Sequence, residues 1–556
     1  MHRFETISRL KSEVFDLVII GGGITGAGVA LDAASRGMKV ALLEKQDFAS
    51  GTSSKSTKLI HGGLRYLKQM ELGLVREVGS ERAIVHRMAP HLVVGEKMLL
   101  PLIKGGTHGA LSTSFGLWLY DVLANVQGKD RRKMLDKQET LDIEPMLAKE
   151  ALLGGGYYAE YRTDDARLTM ETLKTAVQFR ATVLNYAQVE NMLYTDRVIG
   201  VRCKDLQTGE VFDIEGLCVV NAAGPWVDHL RESDNSRFGK RLFLSKGVHI
   251  VVPRERLPIR QAAYFDAPDG RMIFAIPRHR VTYIGTTDTP YEGSLDRISV
   301  LREDVDYLLD ATNNMFPKAE LSVYDVESSW AGLRPLIYEE GKSASEMSRK
   351  DEIFCSPTGL ISIAGGKLTG FRKMGEKVVN LVADRLKAEH GKNFMISFTD
   401  KIPLHGGYFR DATEVNRYRQ ELAGRLDVLQ LPAWRADYLV ANYGRQSDAI
   451  LEQMSAYPHA PDTSLACAEA LFSIHQEMAL EPLDFFERRS GRLYFDLPGI
   501  ASVQEAVLAV FAQAFQWDST TLSKKRQNLE EAVFEASCAF LSEEVYVSDT
   551  LKVSDT

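Results

Sequence analysis

Val14 to Ile20 is an almost unbroken aliphatic run that ends in Gly21-x-Gly23-x-x-Gly26, and few folds accept that juncture. A run apolar on both faces belongs inside a parallel sheet. Gly21 permits the tight turn, Gly23 admits a pyrophosphate to the backbone, and Gly26 lets the next helix lie close on the strand. Gly26 to Arg36 reads as that helix, thinned by Ala27, Gly28, Ala30, Ala33 and Ala34, and Gly37 ends it. Met38 to Leu43 reads as a second strand delivering Glu44, a carboxylate that can accept hydrogen bonds from a ribose. Strand, glycines, helix, strand and acid in register point to a dinucleotide-binding α/β unit. An ordinary glycine-rich turn leaves Glu44 unexplained.

A chain of 556 residues exceeds one core, so two or three domains are expected. A formal charge of −8 with no long basic run argues against nucleic acid as a partner. The five cysteines are scattered and form no CxxC pair, which argues for a reducing compartment and against a metal or disulfide framework. Met1 to Val14 is too polar for a signal peptide, and no uninterrupted apolar stretch of about 18 residues suggests a membrane span. Leu111 to Ala124, flanked by Lys97, Lys104 and Arg131-Arg132-Lys133, reads equally as a helix lying in a membrane interface and as a buried helix.

Lys45 to Tyr66 is dense in hydroxyls, lysines and glycines, too polar for a core and too long for a turn. Its chemistry suits a cleft for phosphates and a ring. A solvated linker would leave Leu59, Ile60, Leu64 and Tyr66 exposed. Val75 to Met88 reads as a helix, and Tyr161 to Leu168 opens another that runs to about Ala181. Thr182 to Tyr186 reads as a strand, Ile199 to Ile214 as a hairpin, and Leu217 to Trp226 as a second buried strand ending in a small-residue turn. Between Arg241 and Tyr338 strong alternation predicts a largely antiparallel sheet. Asp351 to Ile363 adds one strand, and a helix is expected from Gly366-Lys367 to Leu386. Beyond about Pro403 the pattern predicts helices over 414–426, 432–442, 448–454, 503–517 and 522–541.

Following the glycine fingerprint, Ser53-Ser54-Lys55-Ser56-Thr57-Lys58-Leu59-Ile60-His61-Gly62-Gly63-Leu64-Arg65-Tyr66 resembles the flavin-dependent glycerol-3-phosphate dehydrogenases. The likeness continues through Lys246-Gly247-Val248-His249, Ile284-Gly285-Thr286-Thr287-Asp288-Thr289-Pro290, Gly332-Leu333-Arg334-Pro335 and Gly365-Gly366-Lys367-Leu368-Thr369. It covers residues 14 to 385 motif by motif. It implies an α/β fold in which a Rossmann-like FAD-binding domain (14–75, 160–235, 350–390) interleaves with a substrate domain on a largely antiparallel sheet (76–159, 236–349). A separate all-helical cap (403–545) is expected to follow.

The resemblance implies FAD as cofactor and sn-glycerol 3-phosphate as substrate, oxidised to dihydroxyacetone phosphate by hydride transfer from C2 to flavin N5. Electrons would pass to membrane quinone from a cytoplasmic protein held peripherally at the inner membrane surface; a homodimer is compatible with this. For FAD it implies Gly21, Gly23, Gly26, Glu44, Lys45, Thr52, Ser53, Ser54, Ser56, Thr57, Lys58, Leu59, His61, Val183 (through its backbone), Ala223, Gly224, Gly332, Gly366, Lys367, Leu368 and Thr369. For substrate it implies Arg65, Arg349 and Lys367 on the phosphate, with Tyr66 either bonding substrate or packing. Read alone, His249 in a strand of Val and Ile suits a satisfied core position; within Lys246-Gly247-x-His249 it becomes the expected base. Arg334 is expected to stabilise the developing alkoxide. Lys55 and Lys58 read as pyrophosphate contacts, loop structure or solvated surface, and Thr286, Thr287 and Asp288 as the shape of a flavin-facing turn. No metal is expected. The related oxidases, which use oxygen, carry an insertion after the Arg334 motif, where this chain has only Pro335 to Ile353 before the next strand. Such an oxidase, an amine or amino-acid oxidase of the same fold, and a non-catalytic flavin-binding module are the alternatives.

Overall fold

The computed structural model describes residues 3–60, 72–106, 131–340 and 351–541. Strand Phe15–Ile20 is buried throughout and pairs in parallel with Val40–Leu43 on one side and Val211–Asn221 on the other. Thr182–Leu184 extends the sheet beyond the first neighbour, and Ile361–Gly365 beyond the second. Burying each aliphatic side chain of such strands contributes roughly 1.5–3 kcal/mol, which is why the mostly apolar run takes the central position. Helices Ile24–Ser35, Asp165–Gln178 and Phe371–His390 pack side by side, and their apolar residues join those strands in one core. Helix Leu72–Met88 contributes Val85 and Met88 to the same core.

Among the described residues the second sheet has ten strands, antiparallel throughout except where Ala262–Asp266 meets Val94–Ile103. Its key member is Leu242–Pro253, which pairs with Ser328–Ile337, Val281–Gly285 and Thr289–Pro290. Alternation sorts its side chains between two faces. Val248, Ile250 and Val252 enter a core shared with helix Arg302–Met315, whereas Val251 packs on the opposite side. His249 is on Val251's side, two residues away along the strand.

Helices Ala412–Val428, Trp434–Tyr443, Ser447–Gln453, Pro461–Glu477, Leu497–Phe515 and Ser519–Ala536 build the C-terminal region. It is the helical domain the sequence suggested, with a core of its own around Tyr418, Leu439 and Phe472, and it is joined to the sheet: Tyr494, Val503 and Phe511 share a second core with Val251, Tyr283 and Trp330. The pattern reading also passes over Pro461–Glu477, where small residues (Ala466, Cys467, Ala468, Ala470) are buried without forming an apolar stripe. It likewise misses the π-helical turn Phe485–Arg489 and the turn Arg492–Phe495, whose charged side chains are buried. Leu497–Phe515 is long and apolar enough, by length and composition, to cross a membrane; Ile500, Val503, Val507 and Phe511 on it are core residues.

Two further expectations are corrected. Asp351 to Ile363 is a hairpin of Asp351–Cys355 and Ile361–Gly365, not one strand. The helix expected from Gly366-Lys367 begins at Phe371, because Gly365 and Gly366 adopt φ of 76° and 81° and Leu368–Gly370 makes a tighter turn first.

Candidate active site

A cleft of about 380 Å³ lies at the C-terminal ends of the parallel strands, the usual ligand position in such sheets. Gly21, Gly23 and Glu44 of the fingerprint line it, together with Ala223, Gly224 and Gly366. Gly21 turns at φ 113°, and a Cβ at Gly26 would collide with the Gly21 carbonyl, so the helix can approach this closely only with glycine there. Glu44 is more occupied than expected. Its Oε2 accepts from the Gly22 amide at 2.7 Å and its Oε1 from the Gln46 amide at 2.9 Å, and burial raises its pKa above the ordinary carboxylate value. Ile363, Ala364, Pro335, Trp226 and Leu230 form an apolar wall beside this polar end. Glycine backbone, helix N-terminus, acid and apolar wall fit a nucleotide bearing a flat ring.

The loop after Glu44 makes most of its polar contacts within the protein. Thr52 Oγ1 donates to the Leu333 carbonyl at 2.7 Å, Ile24 N donates to Ser53 Oγ at 2.9 Å, and Ser56 Oγ donates to Asp165 at 2.6 Å. Thr52, Ser53 and Ser56 nevertheless line the cleft. Ser54 does not: it is buried against Gly51. Lys45 lines the cleft, but its ammonium pairs with Asp296 at 2.8 Å. Lys58 is buried with its ammonium on Asp165, so it serves the loop rather than a pyrophosphate. The Val183 side chain sits inside the sheet core, which leaves its backbone for the contact expected of it, and Ala187, Gln188 and Val189 line the cleft. His61, Arg65, Tyr66, Arg349 and the Leu111–Ala124 segment lie outside the described residues.

A second cavity of about 170 Å³ adjoins the first, sharing Thr52, Ser56, Pro335, Gly366, Lys367 and Leu368 with it. His249, Arg334 and Lys367 line it together, with Thr57, Leu59, Gly332 and Thr369. Cross-strand glycines make room: a Cβ at Gly285 would strike the His249 ring, and one at Gly247 the Arg334 guanidinium. His249 Nε2 is 3.0 Å from Thr57 Oγ1. Burial, then the Arg334 and Lys58 charges, hold its pKa well below the usual histidine value, so the ring is neutral. Arg334 donates to Thr286 Oγ1 at 2.8 Å, to the Thr287 carbonyl at 3.1 Å and to Asp288 at 3.3 Å. The turn expected to shape the cofactor side therefore holds Arg334.

The sequence reading missed three contributors. Trp330, two residues before Gly332-Leu333-Arg334, stacks on His249 with ring centroids 4.7 Å apart. Glu487 and Tyr494 of the C-terminal region hold the ammonium of Lys55, a residue of the small cavity's wall. Strand period from Arg334 could have placed Trp330 on the site face; nothing in the local pattern announces Glu487.

Known proteins supply the rest. Residues 16–374 match the family described as FAD dependent oxidoreductase, and residues 397–522 the C-terminal domain of alpha-glycerophosphate oxidase. The chain is 48% identical over 546 residues to the aerobic glycerol-3-phosphate dehydrogenase of Bacillus subtilis, covering 96% of this chain and 98% of that protein. The corresponding Staphylococcus aureus protein is 47% identical over 532 residues, covering 95% and 96%. A crystal structure of the Bacillus halodurans glycerol-3-phosphate dehydrogenase complexed with FAD superposes with a TM-score of 0.82 at 43% identity, covering 96% of this chain and 97% of that one.

Proposed function

We infer the reaction from a settled premise: the chain belongs to the family of FAD-dependent glycerol-3-phosphate dehydrogenases. FAD is its cofactor. The reaction is oxidation of sn-glycerol 3-phosphate at C2 to dihydroxyacetone phosphate. One observation carries this reading: the cavity holding His249, Arg334 and Lys367 shares a wall with the cofactor cleft.

FAD, when bound, supplies the acceptor for the hydride leaving C2. The chain supplies the other requirements. His249 is a neutral imidazole in the resting site, hence ready to take the C2 hydroxyl proton without prior deprotonation. Arg334, fixed by Thr286, Thr287 and Asp288, places a positive charge where the hydroxyl oxygen gains negative charge. Lys367 binds the phosphate dianion, with Arg65, Arg349 and Tyr66 assigned there from the resemblance. The phosphate in turn offsets the cost of protonating His249 beside two cations. We assign membrane quinone as electron acceptor, and a peripheral position at the inner membrane surface, from the same family resemblance.

The test is anaerobic. Adding glycerol 3-phosphate to the yellow protein should bleach it, and a quinone analogue should restore colour faster than air does. Faster recolouring by air would move the chain to the oxygen-using oxidases. A protein that stays yellow would remove the substrate assignment and leave the cofactor in place.

A further inference from the structure

The C-terminal helical region reaches the reaction centre through one indole. We propose that Trp330, backed by Tyr494 and Phe495 of that region, is the positioning residue that holds His249 for proton transfer. This rests on the reading of His249 as the base.

A base histidine is ordinarily oriented by an acceptor on its second ring nitrogen. His249 lacks one: Nδ1 is buried without a hydrogen-bond partner among the described residues. What defines the ring plane is packing. On one side the imidazole leans over Gly285, where no side chain intervenes. On the other it lies nearly parallel to Trp330, its cross-strand partner, with an interplanar angle of 12°.

Trp330 is itself fixed from three directions. Its Nε1 donates to the Lys55 carbonyl at 3.2 Å. Tyr494 and Phe495 pack against the indole, with centroids at 5.1 Å and 5.7 Å. Tyr494 is anchored to the same strand, since Ser328 Oγ donates to its carbonyl at 2.6 Å, and its hydroxyl and Glu487 both hold the Lys55 ammonium. His249, Trp330 and Tyr494 are all buried, so the stack has little freedom to slide. The charged groups facing the imidazole are Arg334 and Lys58, with Lys55 and Lys367 in the same cavity wall; Asp165 pairs with Lys58 and Glu487 with Lys55.

The experiment follows the anaerobic bleaching rate at saturating glycerol 3-phosphate, as a function of pH, in the FAD-loaded full chain. Trp330→Leu should lower the limiting rate by on the order of tenfold to a hundredfold, the usual penalty for a misplaced catalytic group. It should also displace the pH profile, with flavin content and the substrate concentration for half-maximal rate little changed. Trp330→Phe, which retains a flat ring, should recover most of the loss. A Trp330→Leu protein with wild-type rate and pH profile overturns the proposal. If that variant fails to hold flavin, Tyr494→Leu carries the same readout one layer out: a several-fold slower rate with a displaced profile is expected, and an unchanged rate and profile overturns it. His249→Ala is measured in parallel. A normal bleaching rate there defeats the reading of His249 as base, whereas a slow His249→Ala beside a normal Trp330→Leu defeats only the positioning role.

Discussion

Strand Phe15–Ile20 and turn Phe485–Arg489 are equally buried and are held by opposite means. The strand is nearly all aliphatic, its backbone satisfied by two parallel neighbours. The turn brings Glu487, Arg488 and Arg489 into the interior to meet the cofactor loop. Arg488 Nε reaches Asp47 at 2.6 Å, Arg489 grips the same carboxylate with two nitrogens at 2.8 Å each, and Glu487 holds Lys55. Burial alone would raise the Asp47 pKa, but the two guanidiniums outweigh it and hold it below the ordinary value. An apolar strand tolerates hydrophobic replacements of similar shape. A buried ionic clasp works only while every charge keeps its partner.

The largest effect should come from breaking the clasp on one side. Arg489→Met strips Asp47 of its bidentate partner, and loss of one member of a buried pair costs about 3–5 kcal/mol. Chemical denaturation should register it, and adding Asp47→Asn should recover part of the loss; a double variant no better than the single one would contradict the clasp. Next comes acid. Burial would raise the Glu487 pKa, yet Arg488 and Lys55 bring it down to about 2. A depressed carboxylate adds stability above its unfolded pKa and loses it as pH falls through the folded one. The contribution, on the order of 3 kcal/mol, should therefore disappear between about pH 4.5 and 2. Glu487→Gln should flatten that part of a stability-against-pH curve.

The strand side breaks differently. Gly26→Ala drives a methyl group into the Gly21 carbonyl and should cost about 1–3 kcal/mol, together with flavin retention, readable from the visible spectrum of the purified protein. The smallest effect belongs to the exposed pair of Lys45 and Asp296. Asp296→Asn should change stability by less than about 1 kcal/mol and leave flavin content intact, since exposed ion pairs are solvent-screened. A marked loss of flavin there would mean that Lys45 is set for the cofactor through Asp296.

Legibility in the sequence divides along the same line. Phe15–Ile20, helix Ile24–Ser35 ended by Gly37 (φ 94°), and Val40–Leu43 appear where the pattern puts them, within two residues. Each is a local pattern of apolar period and glycine that needs no distant partner. His249 and Arg334 were visible as motif residues, and the strand pairing brings both to one cavity. Lys58 stayed open between pyrophosphate, loop structure and surface, because a lysine in a polar loop gives no sign that Asp165 lies against it. Glu487, Arg488 and Arg489 drew no reading at all, since their partners Lys55 and Asp47 in the cofactor loop are more than 400 residues away in the chain.

The sequence by itself determined the nucleotide-binding unit and the antiparallel character of the second sheet, because periodicity and glycine placement act over a few residues. Only the tertiary structure decided which charges are buried, that the helical region shares a core with the sheet, and that Trp330 stacks on His249. Those outcomes depend on partners brought together from distant segments, and the cost of burying a charge or the gain from stacking a ring exists only once the partner has arrived.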